Sequence, residues 1–403
     1  MSESQHPFDH PAFRLFWIGR TLSSLAFQMS AVALGWLVYA RTGSAASLGL
    51  VGLFQFAPMV VLTFLVGHVA DRYDRRLIVS ICQAVEGLTV LTLTLGIVGG
   101  WLGTPGIYAA VVVFGGARAF EQPTNAALLP GVVPAELLSR AVAVSSTAVQ
   151  TAAIIGPALG GLLYAVGPSV PFACATVCFF LASLCVRAIR LERTPPRKEP
   201  ATLASVFSGL HFIWQRPVVL GTISLDLVAV LLGGATALLP IYAKDILHTG
   251  PWGLGLLRLS PALGALAMGT ALSMVPLERR VGLKMFAAVF IFGLATLVFA
   301  YSTNIAVSMV ALAVLGASDN ISVVIRTSLV QLLTPEAMLG RVSAVNSLFI
   351  GTSNQLGEFE SGMTAALFGT VPAAALGGFG TLAVVVVWMM LFPALRRADR
   401  FEG

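Results

Sequence analysis

Long, uninterrupted apolar runs alternate with short polar gaps along the whole chain. A helix needs about 20 residues to cross a bilayer, and most of the runs supply that length. The first half predicts spans over Phe13–Tyr39, Leu48–Val66, Leu77–Gly99, Ile107–Leu129, Leu137–Val166 and Pro171–Ile189. The second predicts Pro217–Tyr242, Trp252–Val275, Val281–Ala300, Ile305–Leu333, Val342–Phe368 and Pro372–Leu395. Between the halves, TPPRKEP is too rich in proline and charge to be helical throughout. SVFSGLHFIWQRP follows, with Val206, Leu210 and Ile213 at helical spacing, which reads as a short amphipathic helix on the cytoplasmic face. The pattern predicts an all-α membrane protein of twelve transmembrane helices in two pseudo-symmetric six-helix bundles. These are an N-terminal bundle over residues 1–190, a cytoplasmic linker over 191–216 and a C-terminal bundle over 217–403.

Composition removes the soluble alternative. Of 403 residues, 57% are hydrophobic and 10% charged, whereas a soluble domain carries about 25% charged residues. The strands of a membrane barrel would alternate polar and apolar residues; these runs are continuous. The net charge of +6 is topological and not a nucleic-acid footprint. With alternate loops assigned to opposite faces, nearly all basic residues outside the spans fall on one face, and only Arg41 and Lys244 on the other. By the positive-inside rule that face is cytoplasmic. The expectation is a multi-pass protein of the inner cell membrane, with both termini cytoplasmic and no cleavable leader. Cys82, Cys174, Cys178 and Cys185 all fall in predicted spans, as small apolar packing residues.

Two local patterns carry more. Gly67 to Arg76, GHVADRYDRR, drops a dense cluster of charges between two apolar runs and reads as a tight hairpin loop. LLPGVVPAELLSRAVAVSS (Leu128–Ser146) matches LVQLLTPEAMLGRVSAVNS (Leu329–Ser347) at a constant offset that also places Gly156 on Gly357. Both copies enter the membrane in the same direction. Parallel repeats of this kind occur in transporters whose substrate site lies near midplane at the repeat interface.

On these residues the chain resembles the major facilitator superfamily over nearly its whole length. Gly67, Asp71, Arg72, Arg75 and Arg76 are similar to that superfamily's signature between spans two and three, although Asp74 stands where a glycine is often found. GPALGG, with Gly156, Pro157, Gly160 and Gly161, resembles the glycine-proline motif of its drug and metabolite exporters. Those glycines permit close helix approach, and the proline removes a backbone hydrogen bond. Ala119–Val144 and Arg341–Gly362 resemble the branch that includes the bacterial enterobactin (siderophore) exporters. The Gly67–Arg76 loop is expected to brace the cytoplasmic helix ends in an outward-open state, with Asp71 as anchor.

Charges inside the spans are expensive, about 3 kcal/mol each at a helix centre, so they face partners or a wet cavity. They are Arg20, Arg118, Arg258 and Arg326, with Glu86, Glu121, Asp226, Asp319, Glu358 and Glu360. The resemblance implies that spans one, four, seven and ten, which carry Arg20, Arg118, Glu121, Asp226, Asp319 and Arg326, line a central cavity. At about 1.5 Å per residue, Asp226 lies roughly 13 Å deep. Glu121 and Asp319 lie roughly 21 Å from the outer face, all three within the central third of a core about 30 Å thick. Carboxylates outnumber guanidiniums, and an acid without a basic partner in low dielectric carries a proton near neutral pH. The expected carrier is Asp226 or Glu121, although Arg118 and Glu121, three apart on one helix, can equally pair with each other. Glu358 and Glu360 point to nearly opposite sides of their helix, so only one can face the cavity. Arg20, Arg118 and Arg326 are the candidates for holding anionic groups of a substrate.

The resulting expectation is a monomeric, proton-coupled secondary transporter working by alternating access. It would export a small amphipathic metabolite, siderophore or drug as a proton antiporter, with the lipid bilayer as its surroundings. No enzyme constellation, nucleotide-binding loop, cofactor or metal site is expected; His6, Asp9 and His10 lie together only on a polar tail. An importer or a lysophospholipid flippase on the same fold is the first alternative. A non-transporting scaffold or sensor is the second, and it would be expected to carry a sizeable soluble output domain.

Overall fold

The computed structural model describes residues 6–190, 203–275 and 279–399. The charged stretch 191–202 and the middle of the Pro276–Lys284 loop lie outside them, as do the side chains of Gly67 and Asp71. The first helices are α1 (Pro11–Thr42), α2 (Ala45–Arg72), α3 (Arg75–Val98), α4 (Thr104–Leu128), α5 (Leu138–Val166) and α6 (Val170–Arg187). They are followed by α7 (Leu203–Gln215), α8 (Pro217–Leu232) and the one-turn α9 (Leu239–Ile241). Then come α10 (Gly250–Met274), α11 (Val281–Tyr301), α12 (Ile305–Leu333), α13 (Glu336–Phe368), α14 (Thr370–Leu391) and the short α15 (Pro393–Arg396). Among the described residues, ten helical segments are long and apolar enough to cross a membrane. The 25-residue α4 and the 33-residue α13 are as long, but their polar residues hold their hydropathy down.

The chain divides into two compact units, Met1–Gly43 with Phe54–Pro200, and Ser44–Leu53 with Ala201–Gly403. In the first, α1 packs on α5 and α6, and α3 on α4 and α6. Phe13, Phe16, Val79, Leu128 and Val186 form one of its cores. In the second, α12 packs on α10 and α11, α14 on α11, and α13 on α8. Leu225, Met285, Phe286, Ile325 and Val385 meet at one of its centres.

Glycines set the closest approaches. A Cβ built on Gly156 would lie 2.6 Å from Gln28 Cβ, and one on Gly160 2.6 Å from Met29 O, so the GPALGG face of α5 lies directly on α1. A Cβ built on Gly357, its counterpart in the repeat, would lie 3.0 Å from Val230 O of α8. The close contact is therefore repeated where the sequence motif is not. In the second unit, a Cβ on Gly264 would fall on the Ala313 carbonyl, and one on Gly316 on the Pro261 carbonyl. Gly316→Ala should lower stability by about 2 kcal/mol, because a rigid backbone cannot yield to the added methyl. Gly269→Ala, whose nearest neighbour is Asn320 Oδ1 at 3.7 Å, should be silent. Thermal unfolding of both variants in detergent checks the pair.

Three expectations change. The seventh predicted span, Pro217–Tyr242, is not one helix. α8 stops at Gly233, and the chain continues through a 3-10 turn (Ala235–Leu238), α9 and a π turn (Tyr242–Ile246). A Cβ on Gly234 would lie 2.6 Å from Gly357 O, so the approach of α13 occupies the space a continuous helix with side chains would need. Second, GHVADRYDRR is not a hairpin loop over its length: α2 runs to Arg72 and α3 begins at Arg75, leaving Tyr73 and Asp74 to turn. Third, the α7 helix forms, but its apolar face packs on protein. Ile213 is fully buried with Val219, Val330, Val342 and Val345, leaving Phe207 and Trp214 exposed.

Candidate functional site

The turn at Tyr73–Asp74 shows what an aspartate achieves where a glycine is often found. Asp74 caps α3, accepting from Arg76 N at 2.9 Å, and pairs with the Arg76 side chain. That guanidinium holds the Asp74 carboxyl below the usual carboxylate range. Arg76 also donates to Ile189 O (2.7 Å), beyond the end of α6, and Arg75 to Ala127 O of α4 (3.1 Å). Two arginines thus tie the start of α3 to the ends of two neighbours. The roles foreseen for Gly67 and Asp71 rest on side chains outside the described residues.

In the first unit, the buried polar centre is Glu121 of α4, fully enclosed. Its Oε1 accepts from Ser23 Oγ of α1 (2.6 Å), Gln83 Nε2 of α3 (2.9 Å) and Asn125 Nδ2 (3.3 Å). Its Oε2 pairs with Arg118 one turn away, so the local pairing that the spacing allowed is formed. Four donors thus converge on one carboxylate. The Arg118 guanidinium also lies over the Phe27 ring at 4.3 Å, and Phe27 stacks on Phe114. Arg20 is half-buried and lies within electrostatic reach of both Glu121 and Arg118. Beside this network is a small, mostly apolar cavity, with Ser30, Gln55, Thr89, Phe114 and Phe172 among its walls.

In the second unit, Asp226 of α8 pairs with Arg326 of α12, both almost fully buried. Ser322 Oγ lies 3.5 Å from Asp226 Oδ1. Asp319, Ser322 and Arg326 follow one another at i, i+3 and i+7, so they share a face of α12. Asp319 and Asp226 line one small cavity with Ala229, Phe292 and Ser318. Two carboxylates there face one guanidinium. The repeat offset places Arg118 on Asp319, Glu121 on Ser322 and Asn125 on Arg326. The polar stripe recurs in α4 and α12, with one acid and one base in each but at different positions.

Glu358 lies elsewhere in the second unit. It is half-buried, interacts electrostatically with Arg258, and its Oε2 would lie 3.3 Å from a Cβ on Gly52. Glu360 accepts from Thr364 on its own helix at 2.7 Å. His6 and Asp9 cap each other around the turn Pro7–Asp9. The helpers Ser23, Gln83 and Ser322 were not foreseen; the i, i+3, i+7 rows on α4 and α12 are the signal that could have found Ser322. Glu86 was read only as an intramembrane charge.

With this geometry in view, the family is decided by a match along residues 2–402 to the model of the transmembrane secretion effector family. The chain belongs to that family, within the major facilitator superfamily. The enterobactin exporter EntS of Citrobacter koseri is 27% identical over 392 residues, covering 96% of this chain and 93% of that protein. The enterobactin exporter EntS of Escherichia coli O1:K1 is 27% identical over 397 residues with the same coverage. A bacterial homologue of the human lysosomal transporter Spinster has a TM-score of 0.73 at 14% identity, over 98% of both chains. The D-xylose–proton symporter has 0.73 at 13% identity, over 96% of this chain and 98% of its own. These solved structures fix the fold alone. This member of the transmembrane secretion effector family is an integral membrane protein of transporter ancestry.

Proposed function

We propose that this chain is a twelve-span secondary transporter of the inner membrane, exporting a small amphipathic molecule of the siderophore or drug type in exchange for protons. In this reading α4 and α13 complete the set of spans despite their polar content, and the two repeats alternate access to the substrate. The observation that carries the reading is the site of Asp226, Asp319 and Arg326. Two carboxylates and one guanidinium in a dry site hold one negative charge too many, and a proton is the smallest group that balances it. In the first unit Arg118 is paired with Glu121 while Arg20 makes no ion pair among the described residues, which favours an anionic group of the substrate near Arg20 and the aromatic pair Phe27 and Phe114. Kinship with exporters of enterobactin supports outward movement.

Reconstituted vesicles of fixed orientation test this. With the cytoplasmic face outward and an acid lumen, enterobactin or an amphipathic dye should accumulate inside. Accumulation unaffected by collapse of the pH gradient would contradict proton exchange. Accumulation only in vesicles of the opposite orientation would favour the importer or flippase reading.

A further inference from the structure

Glu86 of α3 is the one acid in the predicted spans of the first unit, besides Glu121 itself, and the network around Glu121 does not absorb it. Its side chain is fully enclosed, and neither carboxyl oxygen has a hydrogen-bond partner among the described residues. One turn earlier on the same face, Gln83 presents the complementary anomaly. Its Nε2 is committed to Glu121 Oε1 at 2.9 Å, while its Oε1 is buried and also unpartnered. Residues three apart on a helix are neighbours. An ionised carboxylate accepts only, and so does an amide oxygen. Two such groups side by side in a dry interior leave both unsatisfied, which is strongly unfavourable for a charge. One added hydrogen on Glu86 resolves both, because a carboxylic acid is a donor.

The surroundings point the same way. From α4, Glu86 feels Glu121, a second negative charge, and Arg118, which is already paired with Glu121. From α6, Phe179 and Phe180 close against Gly87, and the titratable groups of that helix are Cys174, Cys178, Cys185 and Arg187. Cys82 lies one turn back on α3 itself. No described cation is within ion-pair distance of Glu86. One turn onward, Thr89 and Val90 line the first-unit cavity, whose Ser30 hydroxyl is also buried without a partner. The cavity wall thus begins one turn along α3 from the acid.

We propose that Glu86 is a second proton-binding site, within the first unit, whose carboxyl donates to Gln83 Oε1 and is linked through Gln83 to Glu121 and Arg118. The proton enters from water in the adjoining cavity and leaves by the same path. Its use in transport rests on the proton-exchange reading above; its presence does not.

Infrared difference spectroscopy of the full chain in lipid vesicles at neutral pH tests it, with glutamate labelled by carbon-13 to identify the band. Wild type minus Glu86→Gln should show the carbonyl stretch of a protonated glutamic acid. Gln83→Leu should keep that band and move it to higher frequency, as its hydrogen-bond acceptor is gone. Glutamine is the neutral isostere, so Glu86→Gln should unfold at the wild-type temperature. Absence of the band at neutral pH, or a band that Gln83→Leu leaves in place, overturns the proposal. If the band is present and moves while wild-type transport ignores a pH gradient, the exchange reading fails and the Glu86 site stands.

Discussion

Asp226→Asn should abolish transport driven by a pH gradient and lower stability by about 1–3 kcal/mol, less than the full cost of stranding a buried charge because Asp319 stays beside Arg326. Arg326 is 4% exposed and pairs with Asp226. Neutralising the aspartate removes the ion pair that Arg326 makes with it and leaves Asp319, which lines the same small cavity, as the remaining acid beside the guanidinium. The two effects are separable. Asp226→Asn with Arg326→Gln removes both charges and should recover most of the unfolding temperature, because a buried pair replaced as a unit costs little. The double variant should still fail to use the gradient. Recovery of gradient-driven transport in the double variant would remove Asp226 from the proton path.

Glu121→Ala carries the second large effect. It removes the single acceptor that satisfies Ser23, Gln83 and Asn125 and the counter-charge of Arg118. An uncompensated guanidinium alone accounts for about 3–5 kcal/mol, and each orphaned neutral donor adds about 1–3 kcal/mol. The variant should therefore be poorly recovered from membranes. Glu121→Gln keeps an acceptor oxygen for Ser23 and should be recovered more fully, while losing the ion pair. Yield and unfolding temperature in detergent distinguish the two; equal recovery of both variants would show that the network contributes little.

Much of the architecture was legible from the chain because membrane helices announce themselves by length and apolarity. The repeat was legible because Arg140 and Gly156 recur as Arg341 and Gly357. What was hidden depended on partners distant in sequence. The break of α8 after Gly233 lies in a segment apolar from end to end, and its occasion is the α13 backbone at Gly357. Asp226 and Arg326 were both singled out, but nothing local joins α8 to α12. The reverse held at Arg118 and Glu121, where local spacing permitted the pair and the structure forms it. Counting charges foretold acids without bases. Only three-dimensional accounting points to Glu86, through two unpartnered acceptors one turn apart. Asp74, a departure from a familiar motif, turns out to be the cap that starts α3.

The central claim is that proton and substrate move in opposite directions through this chain. Simultaneous recording of luminal pH and enterobactin in vesicles of fixed orientation addresses it directly. The account predicts that adding enterobactin at the cytoplasmic face releases protons from an acid lumen while substrate enters, and that Asp226→Asn with Arg326→Gln abolishes the proton signal. Substrate entry with no proton movement in the wild type would contradict it.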